Sequence, residues 1–207
     1  MQSEHEPPNL THWATAYDAF SAAQVSTAFV AVTLPSMKDA PIHTLFLECS
    51  RHQLLDDCWL RLRGVVEALT DEQVWWRPNE ASNSIGNLLL HLNGNVHQWL
   101  VATFERLDDA RDRPAEFAQR AHIPADQLLN TLGRTVQRAA DVLSRLTETD
   151  LRQTFHIQGY TVTGMYAVYH VVEHFGMHYG QILYITKLVQ GRDLGFYRDL
   201  DTTGRLS

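Results

Sequence analysis

The chain has 207 residues, 44% of them hydrophobic and 20% charged, which is enough for one globular domain with a buried core. A formal net charge of −7, with no cluster among its 17 Lys and Arg, repels a phosphate backbone and argues against nucleic acid as a partner. Two cysteines, Cys49 and Cys58, point to opposite faces of one predicted helix, so they read as free thiols of a reducing compartment rather than a disulfide.

Residues 19–34 have the length of a signal h-region, but no Lys or Arg precedes Lys38. A secretory signal needs a positive start, and this run is too short and too polar to span a bilayer. The expectation is a cytoplasmic protein with no membrane partner. Met37-Lys38-Asp39 reads as a natural start, so residues 1–36 are expected to be a poorly ordered extension and residues 37–207 the folded domain.

Four long helical patterns follow. The first, from Pro41 to Leu69, repeats apolar residues at three- and four-residue steps. A loop with Trp75-Trp76-Arg77-Pro78 leads to Ser84, a good N-cap for a second helix over 84–107. Residues 108–123 are charged and read as irregular, the longest connection in the chain. The third helix follows Pro124 and runs to Leu146. A connection over 149–163, extended near Gly159–Val162, precedes the fourth helix, which ends at the Gly191 C-cap. With no credible strand pair, the reading is all-α: a four-helix bundle with one long crossover connection.

The fourth helix places His170, His174 and His178 at i, i+4 and i+8, one turn apart on one face. The second does the same with Asn87, His91 and Asn95, among Leu88, Leu89, Leu90 and Leu92. A polar stripe through so apolar a helix is costly unless satisfied. Facing the two stripes across a metal ion satisfies both; a core His91 bonded to Asn95 or a tyrosine is the alternative. H-E-x-x-H is excluded, because Phe175 stands where that motif needs its glutamate. His97 reads as facing solvent or a neighbouring chain, and Trp59, Trp99 and Phe104 as candidates for an interface.

Ser84-Ile85-Gly86-Asn87-Leu88-Leu89-Leu90-His91-Leu92, taken with His170-Val171-Val172-Glu173-His174-Phe175-Gly176-Met177-His178-Tyr179-Gly180-Gln181-Ile182, resembles the DinB/YfiT-like metalloenzymes. The resemblance spans about residues 37–198. It implies an up-down-down-up bundle, often a homodimer, with a divalent metal (zinc or nickel, with iron as a further option) on His91, His174 and His178. His170 would line the pocket. Relatives of this kind include S-transferases that use a low-molecular-weight thiol. Asn87, Asn95, Tyr166, Tyr179 and Gln181 are candidate pocket or ligand-orienting groups.

The expected function is therefore a metal-dependent transferase that moves a small thiol onto small electrophiles. A non-catalytic dimeric metal-binding stress or interaction protein, and a metal-dependent hydrolase, are the alternatives. No general base is evident in the sequence, which favours the first of these alternatives.

Overall fold

A computed structural model describes residues 40–196. The expected N-terminal extension, 1–36, lies outside the described residues. Helix α1 covers 42–67 without a break, through Ile42–His52, a π-helical stretch Gln53–Trp59, and Leu60–Glu67. Cys49 on it is exposed and Cys58 buried, both free. Helix α2, Asp71–Trp75, starts at a capping box between Thr70 and Gln73.

Helix α3 covers 85–105, again with a π-helical stretch, His97–Ala102, inside it. Ser84 caps it as expected: its Oγ accepts from Asn87 N at 3.2 Å, and Asn87 Oδ1 accepts from Ser84 N at 3.2 Å. A left-handed Arg106, at φ 57°, ends it.

The charged connection is not irregular throughout. Asp112 caps a short helix α4, Arg113–Ala118, with Pro114 in its first turn, where a missing N–H costs nothing. Helix α5, Ala125–Leu143, buries the expected stripe from Leu128 to Leu143. Helix α6, Glu148–Arg152, carries a Thr147–Asp150 capping box.

The expectation of no strand pair is corrected. Strand β1, Thr154–Ile157, pairs antiparallel with β2, Tyr160–Thr163, with Ile157 opposite Tyr160. Gln158 and Gly159 turn between them at φ 52° and 82°, the double positive φ of a tight hairpin turn. Thr163 then caps helix α7, Gly164–Gln190, which ends at a left-handed Gly191.

Side-chain contacts fix the directions of the long helices. His91 meets His174 while Asn95 meets His170, so α3 and α7 are antiparallel. Trp75, laid over Gly86 at the start of α3, donates to Ile123 O just before α5, and Glu105 at the end of α3 pairs with Arg138 and Arg145 late in α5. So α3 and α5 are parallel. Gln190 at the end of α7 reaches Ala68 O just past α1, so those two also run together. The bundle is up-down-down-up, with residues 106–124 crossing over.

The expected interface of Trp59, Trp99 and Phe104 is corrected too. Trp59 is buried against Gly133, where a Cβ would meet its ring at 2.8 Å. Trp99 is buried beside His170, and Phe104 packs edge-on against Phe155 with centroids 5.1 Å apart. Both tryptophans lie within the π-helical stretches. Four consecutive residues of the second stretch, Trp99 to Ala102, are buried. No helix among the described residues is long and apolar enough to cross a membrane.

Candidate metal centre

His91 sits in the middle of α3, and His174 and His178 one turn apart on α7. One nitrogen from each falls within 4.8 Å of the others. His91 and His178 are buried, and His174 is half-buried. Their rings lie close together, with centroids 5.0 Å apart for His91 and His174, 4.9 Å for His91 and His178, and 4.5 Å for His174 and His178.

Two of the three rings are oriented from outside. His91 Nδ1 lies 2.8 Å from Glu116 Oε2. An ionised carboxylate only accepts, so Nδ1 carries the proton and Nε2 keeps its lone pair. His178 Nδ1 likewise donates to Gln181 Oε1 at 2.7 Å, which leaves its Nε2 bare.

His91 Nε2 and His174 Nε2 face each other at 2.8 Å. Two lone pairs at that distance repel, so the contact is a hydrogen bond in which His174 Nε2 donates to His91 Nε2. Burial, and then charge on His178 and His91, pushes the His174 pKa down from 6.5 to about 3. Burial lowers His178 as well. A cluster of neutral imidazoles is the form that binds a metal, so the donor set fits a divalent cation.

Glu116 and Arg111 are the residues that sequence reasoning missed. Glu116 takes Arg111 Nε on Oε1 at 2.7 Å and Arg111 Nη2 on Oε2 at 2.9 Å, a bidentate fork. The side chains of His91, Glu116 and Arg111 are exposed by only 3%, 11% and 4%. Burial alone would raise the Glu116 carboxyl, but hydrogen bonds from Arg111 and His91 overcome it and hold the pKa below its ordinary value. Gly94 makes the room: a Cβ there would stand 2.0 Å from Glu116 Oε1 and 2.6 Å from Arg111 Nε. The available signal was Gly94 itself, one turn from His91, opposite a charged connection.

The other candidates divide. Gln181 reaches the cluster through His178. Asn95 Nδ2 donates to His170 Nε2 at 3.1 Å, one turn along both helices, and Trp99 packs against His170 at 4.0 Å. Tyr166 is exposed and contacts His170 by stacking at 6.4 Å, and Tyr179 is half-buried at the edge of the core. Asn87 turns toward α4, its Nδ2 donating to the carbonyls of Glu116 at 2.9 Å and Gln119 at 3.1 Å. It therefore anchors the segment that holds His91. His97 is half-buried at the start of the π-helical stretch.

A family model described as a protein of unknown function, DUF1572, matches residues 42–197. The chain belongs to the DUF1572 family. The match covers α1 to α7 and so includes both histidine helices and the crossover. Among solved structures, the fold of this DUF1572 member is similar to that of a conserved protein from Enterococcus faecalis, with TM-score 0.60 and 18% identity over 70% of this chain and 97% of that one. It is also similar to a DinB-like protein from Bacillus cereus, with TM-score 0.53 and 15% identity over 70% and 91%. The DinB-like protein YjoA from Bacillus subtilis gives TM-score 0.54 and 18% identity over 70% and 94%. The fold is DinB-like. No curated protein matches the sequence.

Proposed function

We propose that this DUF1572 protein binds a divalent metal ion through His91, His174 and His178 and uses it to transfer a low-molecular-weight thiol onto a small electrophile. The observation that carries the reading is the convergence of three imidazoles, two of them with Nδ1 held by Glu116 and Gln181. When bound, such an ion holds a thiol as its thiolate at neutral pH. Zinc and nickel suit the all-nitrogen donor set, and iron is compatible with it.

The protein's own part is orientation. Glu116 and Arg111 fix the His91 ring, and Gln181 fixes that of His178. Beside them, Asn95 Oδ1 and Trp99 Nε1 are buried without a partner. Thiol transfer needs no general base to make its nucleophile. That matches a site whose one buried carboxylate, Glu116, is already taken by Arg111 and His91. The same saturation supports a second reading, a metal-binding protein without catalysis, and disfavours a hydrolase.

We also propose a homodimer formed through α7. Met165, Tyr169, Met177, Tyr184 and Leu188 are exposed by 45–66% on one side of that helix.

The test is elemental analysis of untagged protein, followed by a panel of small thiols and electrophiles. About one equivalent of metal, lost in His91→Ala, and turnover that depends on both thiol and metal are expected. Metal without turnover leaves the binding protein, and no metal at all removes the proposal.

A further inference from the structure

Beyond the end of α4, where α3 begins, lies a cavity of about 230 Å³ that the metal site does not use. Trp75, Arg77, Asn87, Gln119, Arg120 and His122 line it. A water molecule's share of the liquid is about 30 Å³, so the space admits a small organic molecule.

The lining contains two guanidinium groups and no carboxylate. Arg120 is positioned from behind: its Nη1 donates to the carbonyls of Phe117 at 2.7 Å and Gln119 at 2.8 Å. The rest of its planar fork remains for a ligand. Arg77 pairs through Nη2 with Glu80 at 2.9 Å, but the Glu80 side chain is 88% exposed, and a pair so open to water is weak and easily exchanged. Trp75 stacks on His122 with centroids 5.7 Å apart and 10° between planes, giving the cavity a flat wall that Ile123 O fixes in place. The N-terminus of the long helix α3 adds the positive end of its dipole. On a chain of net charge −7, two cationic side chains thus meet at one cavity, with Glu80 paired to Arg77 and Glu72 close enough to His122 to feel its charge.

We propose that this cavity is an anion site for a small organic carboxylate or phosphate, with Arg77 and Arg120 as its charge partners. The site is separate from the histidine centre and does not depend on a metal there.

Titration calorimetry of the full chain with inorganic phosphate, and separately with succinate, tests it. Saturable binding of at least one probe is expected, and the probe that binds identifies the source of the charge. The Arg77→Gln/Arg120→Gln variant should bind about tenfold more weakly or worse, because charge-assisted hydrogen bonds are lost. His91→Ala should bind as the parent does. Arg120 is exposed and Arg77 lies outside the core, so the double variant should melt as the parent does; if it does not, Arg120→Gln alone makes the comparison. Absence of saturable binding, equal affinity in the arginine variants, or loss of binding in His91→Ala would each overturn the proposal.

Discussion

Glu116 offers the most discriminating single substitution. Glu116→Gln keeps the size but removes the charge that fixes the His91 proton and neutralises the buried Arg111. Partners of this kind typically cost ten- to a hundredfold in metal affinity when mutated, and that loss is expected in a competition titration with a chelating dye. Gly94→Ala separates site from fold. Alanine favours a helix interior over glycine by about 1 kcal/mol, which offsets only part of the cost of disturbing a buried charge pair, so the melting temperature should fall modestly while the helices stay formed. Metal affinity should fall, because the new methyl displaces the Glu116–Arg111 pair.

His174 sets a pH dependence. In the unfolded chain it takes a proton below 6.5, whereas in the folded metal-free protein it does so only near 3. Between those values the unfolded state binds more protons, so stability falls as pH is lowered from 6.5 toward 3, and above 6.5 this contribution is flat. Melts of chelator-treated protein at pH 7.5, 6 and 5 should show this decline, and His174→Gln should make it shallower, the lowered His178 and His170 keeping part of it.

At the scale of elements, the long helices were legible from their apolar repeats and from a few marked ends. Ser84 caps α3, Pro124 directly precedes α5, and Gly191 stops α7. The π-helical stretches were not legible, although Trp99 lies four residues past Asn95 on the inward stripe and Trp59 four past Leu55, so a uniform α-helical phase already turns both toward the core. The β1–β2 hairpin escaped because its four-residue strands are short and its turn is Gln158-Gly159, without the asparagine or aspartate that usually marks such a turn. That turn supplies a prediction of its own. Gly159 has φ 82° and nothing within 4 Å of a Cβ, so Gly159→Ala meets strain rather than a clash. A loss of about 1 kcal/mol is expected in urea unfolding, with the metal site unaffected.

For the whole molecule, the histidine ligand candidates could be read from two helix stripes, yet their support could not. Glu116 lies 25 residues from His91, and only the up-down-down-up path lays the crossover across α3. Sequence periodicity registers residues that share an element, and Glu116 shares none with the histidines. The proposed dimer is also tested at this scale. Tyr184→Glu with Leu188→Glu places two charges on the exposed apolar side of α7, far from any core contact the fold needs. Light scattering should then give a monomer mass against a dimer for the parent, with unchanged helix content. A monomeric parent would remove the dimer and leave the metal reading intact.

The crossover bears on any attempt to borrow this site. Copying the three histidines onto another four-helix scaffold would reproduce the donor atoms but not the clasp that aims them, because Glu116 and Arg111 arrive on a connection and depend on the glycine notch at 94. A graft without that strap should leave His91 free to rotate. The smallest portable unit is therefore two helices together with the segment from 106 to 124 laid across one of them.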